Sequence, residues 1–223
     1  AQTGYGMASF TLLGSRVIRL PFIVHTSYPH EVLHNWWGNG VYVDYARGNW
    51  SEGLTTYLAD YLLAEAAGHG PRQRRAALQK YAAYVSEQRE FPLRAFRARH
   101  GEPSQAVGYS KGMMLYHMLR RRLGDEAFLE GLQRFWRERR YQVSTFADLR
   151  RAFEAATGAD LTGFFRQWVD RKGAPALAVS GVAAQPEGEG FRLTGTLAQT
   201  QAGPAYRLEV PLVVTLEGRE RAW

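Results

Sequence analysis

The feature that most constrains this chain is a change of period. From about residue 27 to about residue 171 the chain is dominated by segments whose apolar residues recur at the 3.6-residue spacing of amphipathic helices. After Gly173-Ala174-Pro175 they alternate at the two-residue spacing of strands. A chain of 223 residues with helices first and strands last belongs to the α+β class. Residues 1–172 are expected to form one domain and residues 173–223 the start of a second. Within the first, residues 5–13 and 16–23 are rich in β-branched and aromatic side chains and predict two strands around Gly14-Ser15. Ser27 predicts the cap of a helix ending near residue 37, before Gly38-Asn39-Gly40, and residues 41–45 a short strand or loop. Ser51 predicts the cap of a second helix to about residue 67. Further helices are predicted over 71–89, 105–123, 125–139, Ser144 to 156, and 160–171. Strands are predicted over 176–182, 191–199 and 206–216, the first two joined as a hairpin through residues 186–190.

Composition narrows the chemistry. Hydrophobic residues make up 45% and charged residues 22%, an ordinary globular mix. No apolar run approaches the ~18 residues of a membrane span. Cysteine is absent, which removes disulfides, thiolate metal sites and thiol nucleophiles. Any metal must therefore sit on His, Asp or Glu. The net charge is +7, and of the basic residues only Lys80, Lys111 and Lys172 are lysine. The arginines scatter over many segments, as expected of exposed helix faces, so no nucleic-acid partner is expected. The first and last residues both read as mid-strand and no basic-then-apolar leader stands at the start, so a longer parent protein is expected; the compartment stays open.

His30-Glu31-Val32-Leu33-His34 is an HExxH motif on a predicted helix. Residues four apart on a helix lie about 40° from one another, one turn along, so two imidazoles so placed can grip one ion from a single face. Glu31 shares that region and can reach a water on the ion. A catalytic zinc needs a third protein ligand and keeps one position open. Glu52 opens the next predicted helix, and a helical hairpin would bring it beside the His pair. Two readings stand on these residues alone: a zinc site, or two core histidines with Glu52 stabilising a helix N-terminus.

The longer run His30-Glu31-Val32-Leu33-His34-Asn35-Trp36-Trp37-Gly38-Asn39, followed by Ser51-Glu52-Gly53, resembles the membrane alanyl aminopeptidase-type gluzincins, a family that includes leukotriene A4 hydrolase. Gly108-Tyr109-Ser110-Lys111-Gly112 resembles that family's Tyr-x-Lys-Gly segment, and the helix order through Phe165-Arg166-Gln167-Trp168 into the strands is similar too. The resemblance implies a mainly α-helical, thermolysin-like zinc peptidase domain with a partial N-terminal sheet, followed by the start of a β-sandwich. It implies one Zn²⁺ per chain on His30, His34 and Glu52, with Glu31 as general base, Tyr109 as oxyanion stabiliser and a peptide as substrate. It also aligns Gly6, Met7 and Ala8 with a substrate-binding strand whose glutamate holds the substrate's α-ammonium in the family. Here Ala8 stands at that position, so exo against endo cleavage is open. A zinc hydrolase of a non-peptide substrate and a degenerate peptide-binding module are the alternatives. His25, His69, His100 and His117 have no ligand spacing.

Overall fold

The structure is a computed structural model; it describes residues 4–216 and 219–222, with backbone alone from 215 onward. Residues 1–3, 217–218 and 223, which the expected domains include, lie outside the described residues. The chain divides into two compact units, Ala1–Gly173 and Ala174–Trp223. Helices dominate the first and strands the second, in keeping with an α+β chain.

The first unit opens with a hairpin. Strand β1 (Gly4–Met7) pairs antiparallel with β2 (Phe10–Leu13), from Gly4 opposite Leu13 to Met7 opposite Phe10. The reversal at Ala8-Ser9 has Ser9 at φ 68°, so the single strand expected over 5–13 is a whole hairpin. The second expected strand is also corrected: Val17–Arg19 and Ile23–His25 are short 3₁₀ turns. Its β-branched composition promised a strand, but among the described residues no ladder partner is present, and Ile18, Leu20, Phe22 and Val24 are exposed.

Helix α1 (Ser27–Leu33) carries the HExxH residues. Ser27 is its first residue rather than its cap; Thr26 precedes it and its hydroxyl bonds back to the Phe22 carbonyl. The helix ends earlier than expected because Trp37 and Gly38 turn away into strand β3 (Trp37–Gly38), with Gly38 at φ 123°, a conformation that favours glycine. Strand β4 (Val41–Val43) pairs parallel with β3 and with β5 (Val143–Ser144). This small sheet ties the turn after α1 to the last helices of the unit.

Helices α2 (Ser51–Thr55) and α3 (Leu62–Ala66) form one run through a π-helical turn at Thr56–Tyr61. Helix α4 (Gly70–Tyr84) stops short of residue 89. Helices α5 (Glu102–Gln105) and α6 (Gly112–Leu123) are likewise joined through a π-helical turn, Ala106–Lys111. Helix α7 (Asp125–Arg139) matches its expected span. Helix α8 (Phe146–Thr157) is capped by Thr145, whose hydroxyl accepts from the Asp148 amide while Asp148 accepts from Thr145; Ser144 lies in β5 instead. Helix α9 (Thr162–Phe165) runs into a third π turn, Arg166–Asp170.

The core gathers around Trp50, which is fully buried. Its indole N–H donates to the Ser144 carbonyl at 2.9 Å, its own carbonyl accepts from the Tyr116 hydroxyl at 3.0 Å, and Phe135 meets its ring edge-on at 5.1 Å. One residue, through its side chain and its carbonyl, thus ties the start of α2 to α6, α7 and β5.

In the second unit, β6 (Leu177–Glu187) and β7 (Gly190–Gln199) form the expected antiparallel hairpin, with a register shift between Ser180 and Ala183 where Gly181 takes φ 61°. The strand expected over 206–216 shrinks to β8 (Val213–Leu216), paired with β9 (Arg219–Ala222). Pro211 lacks the N–H a ladder needs, which accounts for the late start.

Candidate metal centre

The cavity around α1 and α2 measures about 1430 Å³. It is lined by β1, by α1, by the α2–α3 run and by the π turn that carries Tyr109. His30 and Glu31 are buried on α1.

His30, His34 and Glu52 converge there. The Glu52 Oε2 lies 3.3 Å from the Nε2 of His30 and 3.3 Å from the Nε2 of His34. One donor atom from each of the three falls within 4.8 Å of the others. Ligands about 2.0–2.1 Å from a tetrahedral ion stand roughly 3.4 Å apart, so the two carboxylate-to-imidazole spacings already suit zinc. The far nitrogens fix the tautomers. His34 Nδ1 donates to the Trp37 carbonyl at 2.9 Å, and His30 Nδ1 faces Asp60 Oδ2 at 3.2 Å. With both Nδ1 atoms committed as donors, both Nε2 lone pairs are free to face an ion.

The electrostatics agree. Burial works against a charged imidazole at His30, but Asp60 and Glu52 outweigh it and raise the group to about 10 in the ion-free protein. Burial likewise works against the Glu52 carboxylate, and bonds from His30 and His34 overcome it, holding Glu52 well below the usual carboxylate range. In the ion-free protein His30 and Glu52 thus form a buried ion pair, and an ion entering between them would displace the imidazole proton. Glu31 responds the other way. Burial raises it, with His30, His34 and the Gly6 N–H only partly offsetting that.

Tyr109 closes the site from the other side. Its ring stacks on His30 at 6.1 Å and meets Phe96 edge-on at 6.0 Å. Burial, then Glu52, push its hydroxyl far above the ordinary tyrosine value, so it stays protonated and able to donate. The placement depends on bare backbone. A Cβ on Gly53 would stand 2.8 Å from the Gly112 Cα, and one on Gly112 would stand 2.9 Å from the Gly53 Cα. The helix bearing Glu52 and the helix following Tyr109 therefore touch main chain to main chain. Lys111, also buried, donates to the Arg171 carbonyl at 3.1 Å, and burial lowers it to about 8.

The substrate-strand residues divide. Gly6 and Met7 line the cavity; Ala8 lies at the hairpin reversal and is not on the wall. A Cβ on Gly6 would come within 2.5 Å of the His34 Cβ, so β1 lies hard against α1. The Gly6 carbonyl is taken by the Asn39 side-chain amide at 2.9 Å. Sequence reasoning missed Asp60. On a regular helix it lies about 80° around from Glu52, but the extra residue of the π turn cuts that to roughly 20°. It missed Thr55 as well, whose hydroxyl lies 3.2 Å from His30 Nε2. His25 and His100, set aside for want of ligand spacing, are on the cavity wall, and His69 and His117 are not.

Comparison with known proteins adds to this geometry. Residues 23–168 match the model of the peptidase family M1 domain. The chain belongs to peptidase family M1. Alanine/arginine aminopeptidase of Saccharomyces cerevisiae is 28% identical to this M1 chain over 67% of it and 18% of the relative. Aminopeptidase N of Lactococcus lactis is 27% identical over 67% of the chain and 19% of the relative. The M1 chain thus spans about a fifth of the length of these relatives. Among solved structures, the M1 zinc metallopeptidase of Deinococcus radiodurans is similar at TM-score 0.61 and 28% identity, covering 79% of this chain and 38% of that one. A mutant of that protein bound to a Tyr-Ser-Ala substrate is similar at TM-score 0.60. That M1 neighbours are zinc enzymes agrees with the His-His-Glu donor set found here.

Proposed function

We propose that residues 1–172 are the catalytic domain of a zinc metallopeptidase and that residues 173–223 begin a separate β domain. His30, His34 and Glu52 are the residues that would hold one Zn²⁺. The reading rests on one observation above all: two imidazole Nε2 atoms converge on one carboxylate while both Nδ1 atoms turn away into acceptors. When bound, zinc lowers the pKa of a coordinated water toward ~7 and polarises a carbonyl. The rest of the chemistry belongs to the chain. Glu31, raised by burial beside the His pair, accepts the proton of the attacking water at its carboxylate and later delivers it to the leaving amine. The Tyr109 hydroxyl, held protonated, donates to the oxygen that gains charge as the peptide carbonyl becomes tetrahedral. Asp60 keeps His30 in the tautomer whose Nε2 faces the ion, and β1 sets the width of the substrate channel.

The test is a pair of measurements on the zinc-loaded chain: metal content and turnover of a peptide panel. Glu31→Gln should retain zinc and lose about 10²–10⁴ in rate. Full activity in that variant would remove Glu31 as the base, and a wild-type chain that binds peptides without cleaving any would favour the binding-module alternative.

A further inference from the structure

The charges around the cavity are unevenly committed, and this bears on which peptides the site takes. Among the described lining residues only three carboxylates occur: Glu31, Glu52 and Asp60. Each is engaged. Glu52 lies between the two imidazoles, Asp60 faces His30 Nδ1, and Glu31 accepts the Gly6 N–H beside the His pair. A substrate's α-ammonium entering here would find no spare anionic partner among these described residues, and burying a cation unpaired is costly. Ala8 carries no charge to supply one.

The cations are the opposite case. Arg99 lies on the wall, in the loop between the 3₁₀ turn Leu93–Ala95 and α5, and it is exposed. Its arginine neighbours are occupied. Arg97 donates to the Ala46 carbonyl at 2.7 Å and to the Arg94 carbonyl at 2.8 Å, and Arg94 pairs with Asp170. Arg99 makes no ion pair among the described residues, although its positive field reaches the Tyr109 hydroxyl. The loop that carries it is held at both sides: Asn49 donates to the Arg97 carbonyl at 3.0 Å, and the His100 amide donates to the Ser104 hydroxyl at 2.8 Å. His25 and His100 add further donors to the same wall. A guanidinium so placed offers a carboxylate two parallel N–H bonds.

We propose that this site selects peptides by a carboxylate held at Arg99 and does not require a free α-amine. This rests on the metallopeptidase reading and deepens it. The carboxylate is either the substrate's C-terminus or an acidic side chain, and a designed peptide set separates the two. The set is one short peptide with its amino end free or acetylated, its carboxyl end free or amidated, and an internal Glu or Gln. Turnover is measured on the zinc-loaded full chain. Binding of the same peptides, fluorescently labelled, is measured on zinc-loaded Glu31→Gln.

Acetylation should leave kcat/KM within about twofold. Removing the relevant carboxylate, by amidation or by Glu to Gln, should raise KM about tenfold with little change in kcat. Arg99→Gln should erase that preference, so that the paired peptides become equal, and Arg99→Lys should restore part of it. Loss of cleavage on acetylation would overturn the proposal, as would a preference for the carboxylate that persists in Arg99→Gln. If no peptide is cleaved, the metallopeptidase reading fails by itself. The binding series then still decides the selection: a carboxylate preference that disappears with Arg99→Gln supports it, and equal binding of all members overturns it.

Discussion

The two sides of the cavity achieve their geometry by opposite means. On the helical side, α1, α2 and the π turn before α6 act through large side chains that grip one another: His30 between Asp60, Glu52 and Tyr109, and His34 between Glu52 and the Trp37 carbonyl. On the hairpin side, β1 alternates Gly4 and Gly6 with Tyr5 and Met7, and it is the two glycines that meet α1. The strand lies against His34 and Glu31 because neither glycine has a side chain to interfere. One side carries the reactive groups, and the other limits how far they are from a substrate. The contrast teaches that one side is vulnerable to the loss of a functional group and the other to the gain of a methyl group.

The largest expected break is the loss of Glu31 described above. Next comes Tyr109→Phe, which removes one donor to the developing oxyanion and should cost about 10²–10³ in kcat with zinc content unaltered. An unchanged kcat would take Tyr109 out of the chemistry. Gly6→Ala tests the hairpin side with a single methyl. The new carbon must displace the His34 Cβ and the Glu31 carbonyl, and overpacking of that kind costs about 1–3 kcal/mol. Thermal melts should show that loss, and kcat should fall although no functional group is deleted; wild-type values for both would mean that β1 yields freely. Asp60→Asn sharpens the helical side, because the amide can no longer hold His30 by charge. Zinc affinity in a competitive chelator titration should weaken about 10–100-fold.

Removing the metal should abolish turnover, and the finer readout is how stability then follows pH. In the chelated protein His30 titrates near 10, above its unfolded value of about 6.5. Its contribution to stability is then fully present below about 6.5 and is lost as pH rises through about 10. Zinc replaces that proton, so the melting temperature of the loaded protein should not follow this slope between those pH values. Identical pH profiles with and without zinc would separate the cluster from the metal.

How much of this was legible depended on whether local rules hold. His30, Glu31 and His34 could be read because they lie on one regular turn, and Glu52 because a helix start follows them at hairpin distance. Tyr109 was reached through the resemblance of its segment rather than from periodicity. Asp60 was not legible, because regular helix geometry turns it away and only the π turn at Thr56–Tyr61 turns it back. Residues 16–23 were misread because β-propensity says only that a side chain suits a pleated surface, and it does not supply the neighbouring strand. The Ala8-Ser9 reversal was hidden for a different reason: Ser9 adopts a left-handed conformation without the glycine that would have signalled it.

The close approach of Gly53 to Gly112 has a consequence for how this centre tolerates change. Two helices that meet with nothing between them have reached the shortest separation that main chains allow, so the contact works like a machinist's stop. A side chain at either glycine would instead force apart the acid that follows Ser51 and the phenol that precedes Ser110. Reach across the centre is therefore set in part by main chain, the one component every residue shares.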